Sequence, residues 1–217
     1  LGSVYSDSGD KQAQNRIMAL MEEHNQHELT KPCDEPKCML ERAQYYGNTG
    51  NQAKAKECYQ KTIDMKMDDE MKTTGYEEYA RFLAMMVRDR QTGAEYQHQA
   101  AMLRKETQGE NVDYAKCIYN AGLYYTLDMT SDGFNKSITC FDQALRVFEN
   151  LKDVSMIAKC QQMKGSAYGG LKEFGKAKEC YAKALAYYEA NDKGNNEYPT
   201  MIERVASMEK FNKEYDA

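Results

Sequence analysis

The chain has 217 residues, 41% of them hydrophobic and 29% charged, and carries a net charge of −5 with acidic and basic residues interleaved. No run of 18 apolar residues occurs, so membrane insertion is not expected, and no basic block is present to neutralise phosphates, so nucleic acid is not an expected partner. Three prolines and 14 glycines interrupt a chain rich in Ala, Glu, Lys, Gln, Met and Leu, which predicts helix throughout.

In chain order the spacing of apolar residues predicts helices over 1–8, 11–28, 36–48, 51–66, 70–88, 92–107, 113–128, 133–150, 154–171, 174–191 and 198–212. No alternating pattern supports a strand. Leu1-Gly-Ser-Val-Tyr5 already reads as the inside of a helix, so the chain is expected to be a fragment of a longer protein. A cytoplasmic location is expected, with any leader of the longer protein lying outside this fragment.

The segment Ala55-Lys-Glu-Cys-Tyr-Gln-Lys61 returns as Ala177-Lys-Glu-Cys-Tyr-Ala-Lys183, with the related Ser137-Ile-Thr-Cys-Phe-Asp-Gln143 between them. Six of the seven cysteines follow this recurrence. Cys58, Cys140 and Cys180 each precede an aromatic residue, and Cys38, Cys117 and Cys160 stand 20 or 23 residues earlier. Reduced thiols filling repeated core positions are therefore expected, rather than a disulfide scaffold. The spacing of Cys140 and Cys160 about Asn150 leaves open whether that pair meets.

The unit from Ala158 to Glu189 shows the pattern most fully. Small residues at Gly165, Ala177 and Ala184 let two helices approach, and Tyr168, Leu171, Phe174, Tyr181 and Leu185 fill the space around them. Gly169-Gly170 and Gly175 read as helix-end and turn residues. In the preceding unit Gly122, Tyr125, Phe134, Phe141, Ala144 and Leu145 correspond, with a turn expected to be three residues longer. Ala43, Tyr46, Gly50, Ala55, Tyr59 and Ile63 give a third match, whereas the unit placed by Ala94, Ala101 and Met102 is degenerate.

This sequence of small and large positions resembles the tetratricopeptide repeat. Thr62, Ala101, Ala144 and Ala184 are spaced by 39, 43 and 40 residues, longer than the usual 34, and in this the units are similar to those of kinesin light chains. The resemblance implies an all-α fold, a right-handed superhelical solenoid of antiparallel helix pairs. It implies one domain over 1–217, with units near 1–33, 36–70, 71–110, 113–152, 155–192 and a partial unit at 198–217. It also implies a scaffold that binds a protein or peptide partner in a concave groove lined by the first helix of each unit. The groove residues carried over are Leu40, Glu41 and Gln44, then Tyr119, Asn120, Leu123 and Thr126, then Gln162, Met163, Ser166 and Gly169. Asn120 has one donor and one acceptor for a peptide backbone, and Tyr119 is the expected aromatic anchor. Kinesin-light-chain-type arrays repeat that asparagine, whereas Glu41 and Met163 stand at the equivalent places here. The alternative reading is a regulatory segment that packs on further domains of its own protein.

Chemistry of other kinds finds little support. His24, His27, Cys33 and Cys38 have zinc-compatible spacing, but a polar helix end accounts for the histidines and the repeat accounts for Cys38. His98 lacks any nucleophile motif around it, and Gly47-Asn-Thr-Gly50 lacks the Lys-Ser/Thr end of a phosphate loop. Neither an enzyme, a cofactor nor a metal is expected.

Overall fold

The computed structural model describes residues 16, 32–191 and 193–215. The sequence-predicted helices at 1–8 and 11–28 lie outside the described residues, Arg16 apart. Nine α-helices follow among the described residues: α1 (Pro36–Asn48), α2 (Gln52–Asp64), α3 (Asp69–Phe82), α4 (Arg90–Gln108), α5 (Val112–Leu127), α6 (Ser131–Asn150), α7 (Val154–Gly170), α8 (Phe174–Asn191) and α9 (Glu197–Tyr215). A π-helical segment, Leu83–Val87, continues α3. No strand occurs among the described residues.

Short polar side chains start these helices. Asn51, Asp68, Asp89, Asn111, Thr130 and Asp153 each accept a backbone N–H from the first turn of α2 to α7 in order, filling a donor that the helix itself leaves free. The turns inside the hairpins stop the first helices in a shared way. Gly50, Arg88, Met129 and Lys172 all have φ between 56° and 82°, the left-handed conformation of a helix C-terminal cap. After Gly50 and Lys172 the next N–H reaches back five residues, Asn51 to the Tyr46 carbonyl at 2.8 Å and Glu173 to the Tyr168 carbonyl at 2.9 Å.

Each helix packs on the next in chain order, and first helices also touch across units, α1 on α3 and α5 on α7. The result is a right-handed superhelical solenoid of antiparallel pairs. Among the described residues the core comes in three clusters that straddle the units. One joins α1, α2 and α3 through Leu40, Ala55, Tyr59, Tyr79 and Phe82. The second runs from Ala100 on α4 to Cys160 on α7 and includes Ile118, Phe148 and Val147. The third joins α7, α8 and α9 through Ala158, Tyr181, Tyr188 and Met201.

Gly122 and Gly165 occupy matching places. A Cβ on Gly122 would stand 2.8 Å from the Phe141 ring, and one on Gly165 would stand 2.7 Å from the Tyr181 ring. A methyl group cannot fit in either gap, so glycine is what lets the second helix seat its aromatic ring. Both turns span three residues, 128–130 and 171–173, so the expected longer turn is not there. The three extra residues instead lengthen the start of α6, where Phe134 is the fourth helical residue while Phe174 is the first of α8. Gly169 and Gly170 form the last turn of α7, the helix end expected of them. A Cβ on Gly170 would lie 2.3 Å from the Phe134 ring, so close approach of a neighbouring unit explains it.

The thiols divide in two. Cys58, Cys117, Cys140, Cys160 and Cys180 are free and buried, so Cys140 and Cys160 do not pair. Cys33 and Cys38 form a disulfide, with Cα atoms 5.9 Å apart, which corrects the expectation of a reduced Cys38 copying Cys117 and Cys160. Cys38 sits in the first turn of α1, within reach of the segment before the helix, and neither Cys117 nor Cys160 has such a neighbour.

Candidate functional site

The first helices α1, α3, α5, α7 and α9 stand side by side, tied by polar side chains. Gln44 Nε2 donates to Glu78 Oε2 at 3.1 Å, joining α1 to α3. Cys117 Sγ donates to Glu77 Oε1 at 3.0 Å, joining α5 to α3, and Arg104 on α4 meets the same oxygen at 2.9 Å. Gln162 Nε2 donates to Glu197 Oε2 at 2.7 Å, joining α7 to α9. Burial, then the Glu77 hydrogen bond, pushes the Cys117 thiol up to about 12, so it stays protonated and serves as a donor.

On α5 the buried stripe is Tyr114, Ile118, Ala121 and Gly122. Lys116, Asn120, Leu123 and Leu127, spaced by four, three and four, stand on the opposite side of the helix. Cys117 is on the flank facing α3. Tyr119 is half-buried with its ring 5.6 Å from that of Phe141, and burial raises its hydroxyl to about 12. Asn120 and Leu123 are also half-buried but stand opposite the packed stripe, between exposed Lys116 and Leu127, while Tyr119 is largely a packing residue.

The other expected groove residues separate by burial. Leu40 is 7% exposed and packs in the first core cluster, so its side chain is not presented to a partner. Gln162 is also 7% exposed and is occupied by Glu197 and by the Tyr188 hydroxyl at 3.5 Å, a tie between helices. Ser166 lies 3.1 Å from the Tyr181 hydroxyl and accepts from Arg204 Nη1 at 3.3 Å, which anchors α9. Gln44 is half-buried at the α1–α3 junction beside Glu78. Exposed Lys116 and Lys159, one turn earlier on α5 and α7, had no place in the sequence reading. Their signal was their constant distance ahead of Gly122 and Gly165, six residues in both units.

The sequence reading also missed a cleft between the C-terminal ends of α1 and α3. Gln44, Gly47, Asn48, Tyr59, Glu78 and Arg81 line it together with Phe82, Met85 and Met86, around a volume of about 290 Å³. The available hint was the unbroken apolar run Phe82-Leu-Ala-Met-Met-Val87, longer than one face of a helix can bury.

Of the zinc-compatible set, His24 and His27 lie outside the described residues, and Cys33 and Cys38 hold each other rather than a metal. Among the described residues no group of three or more His, Cys, Asp or Glu is arranged for a metal ion. His98 borders an open hollow with Met102, Lys105, Tyr114 and Arg146, and burial lowers its imidazole below the usual value. No described helix is long and apolar enough to cross a membrane.

These stacked hairpins, with polar side chains lining one face, define a helical-repeat interaction scaffold. The tetratricopeptide-repeat profile matches residues 36–68 and 158–191, the hairpins α1–α2 and α7–α8. Among solved structures, BtubC (BKLC) from P. vanneervenii is similar at 17% identity and a TM-score of 0.64, over 83% of this chain and 74% of that one. A putative kinesin light chain of Podosopora anserina with nearly identical TPR-like repeats is similar at 13% identity and a TM-score of 0.64, over 84% and 90%. RapI in its apo form gives 15% identity and a TM-score of 0.70, over 94% of this chain and 55% of RapI, so this chain spans little more than half of that protein. No curated protein matches by sequence. Residues 36–68 and 158–191 are thus tetratricopeptide repeats, and the hairpins between them share the helical-repeat fold.

Proposed function

We propose that the chain binds a segment of a partner protein, extended or helical, along the face formed by its first helices. The observation that carries this is the row Lys116, Asn120, Leu123 and Leu127, which stands opposite the packed stripe of α5 while neighbouring residues of that helix are held by α3 and α6. A carboxamide at the centre of such a row offers a donor and an acceptor to a peptide backbone, and Leu123 and Leu127 offer apolar area beside it. Cytoplasmic residence and a non-catalytic role go with this reading.

A photo-crosslinking residue placed at position 120 should join the chain to its partner, and the same residue at Lys183 on α8 should not. Asn120→Ala should then weaken the complex roughly tenfold, the effect of about 1.4 kcal/mol in a lost pair of hydrogen bonds. Crosslinking of equal yield at both positions, with affinity unchanged in the variant, would move the binding face elsewhere. Tyr119→Ala is a poor probe of the same question, because it also removes a ring from the core.

A further inference from the structure

The geometry points to the cleft between α1 and α3 as an anchoring pocket for one large aliphatic side chain, leucine or methionine, of an extended partner segment. The neighbouring backbone carbonyl of that segment would meet the Tyr59 hydroxyl and the Arg81 guanidinium. The inference rests on the protein-binding role proposed above and names a particular subsite.

Four observations converge there. The cleft has an aromatic wall, Tyr59 and Phe82, with ring centroids 5.2 Å apart. Gly47 borders it, where even a Cβ would come within 3.2 Å of the Phe82 ring. Its rim is Met85 and Met86, which are 56% and 53% exposed although both are large and apolar. Both belong to the π-helical segment, whose wider turn departs from the spacing that buries the rest of α3. The Met86 carbonyl is held by Gln52 Nε2 at 3.1 Å, so the rim is fixed to α2 rather than loose. Methionine is unbranched and polarizable and conforms to an incoming aliphatic group.

The fourth observation concerns polarity. Tyr59 is only 3% exposed, yet its hydroxyl makes no hydrogen bond to another described residue. The hydroxyl opens on the cleft beside Glu78 and Arg81, where it is available to an incoming acceptor. Glu78 is shared by Gln44 and Arg81, so its carboxylate offsets the Arg81 charge. The mouth therefore presents N–H and O–H donors with little net charge, which fits an uncharged carbonyl better than a carboxylate. A volume of about 290 Å³ suits a side chain and its adjoining amide rather than a folded element.

The test uses the whole chain labelled with ¹³C at its methionine methyl groups, titrated with N-acetyl-leucine N-methylamide. Saturable shifts of the Met85 and Met86 resonances are expected at millimolar concentration. N-acetylglycine N-methylamide, which lacks the side chain, should bind at least tenfold more weakly, and N-acetyl-leucine with its free carboxylate should bind no more tightly than the amide. Tyr59→Phe keeps the ring and should weaken the leucine amide three- to tenfold. Met85→Ser, at an exposed position that leaves the core intact, should weaken it similarly with Met86 as reporter. No saturable shift, equal binding of the glycine amide, tighter binding of the free acid, or an unaffected Tyr59→Phe variant would each overturn the assignment. The readout needs no natural partner. A negative result beside Asn120-dependent crosslinking removes only this pocket, and a positive one beside failed crosslinking removes only the α5 row.

Discussion

Hairpins α5–α6 and α7–α8 place the small residue on the first helix and the ring on the second: Gly122 under Phe141, Gly165 under Tyr181. Hairpin α3–α4 carries rings on both helices instead. Tyr76 and Tyr79 project from α3, and Tyr79 meets Tyr59 at 5.3 Å and Tyr96 at 4.7 Å. The second helix brings Tyr96 together with buried Gly93 and Ala100, beside Ala94 and Ala101, which match Ala177 and Ala184 of the regular unit. A Cβ on Gly93 would stand 2.8 Å from the Ala80 carbonyl, so the close approach has moved to the start of α4. One hairpin geometry is thus reached with the closest approach under a ring in the regular units and against backbone in the irregular one. Close packing fixes the sum across an interface and leaves open which helix contributes it.

Gly122→Leu should break the regular hairpin, since the added atoms must displace the Phe141 ring. A loss of about 3 kcal/mol in urea unfolding is expected, and Phe141→Ala in the same chain should recover part of it. Equal losses in the single and double variants would show that the ring and the glycine are not partners.

The next effect belongs to the irregular hairpin. Glu77→Ala removes the acceptor shared by Cys117 and Arg104 and should cost about 2 kcal/mol, less than a fully buried charge because Arg104 remains partly hydrated. Cys117→Ala in that background should add little, because its thiol has already lost its partner. Strict additivity would separate the thiol from the cluster.

Alkali sharpens the comparison across both regions. Burial holds Cys117 and Cys160 near 12 and Cys140 near 11 in the folded chain, against an ordinary thiol value of 9.0. The unfolded chain therefore releases these protons first. Stability is fully present below pH 9 and declines as pH rises toward 12, by at most about 1.4 kcal/mol per pH unit for each shielded thiol. Calorimetric Tm should be flat from pH 7.5 to 8.5 and lower at pH 10.5, with a shallower decline in Cys160→Ala. The smallest expected change has the opposite sign. Gly75 on α3 is buried, but the nearest atom to an added Cβ is 3.8 Å away, on Thr62, so Gly75→Ala should gain about 0.5–1 kcal/mol from helix propensity.

Legibility followed this division of volume. The repeated Ala-Lys-Glu-Cys-Tyr segments placed α2 and α8, and helices 36–48 and 174–191 have the expected bounds. The unit that looked degenerate keeps the small residues Ala94 and Ala101, but its rings, Tyr76, Tyr79 and Tyr96, and its tightest contact, at Gly93, fall at places for which the other units set no pattern. The π-helical segment is likewise absent from any count of apolar spacing, and with it the exposure of Met85 and Met86. In the groove, the resemblance named Asn120 and Leu123, which stand opposite the packed stripe of α5. It did not distinguish Leu40 and Gln162 from them, because what covers those two comes from other helices, through Phe82, Tyr188 and Glu197. The spacing that suited zinc at Cys33 and Cys38 was short enough for the sulfurs to reach each other.

Packing that runs in chain order from α1 to α9 also sets how the molecule answers a load. Tension between its ends passes through every hairpin in series, so small hinge rotations add along the array as the coils of a spring do. A ligand lying across several first helices would stiffen that spring, and a pull that opens the pitch would weaken its grip on the ligand.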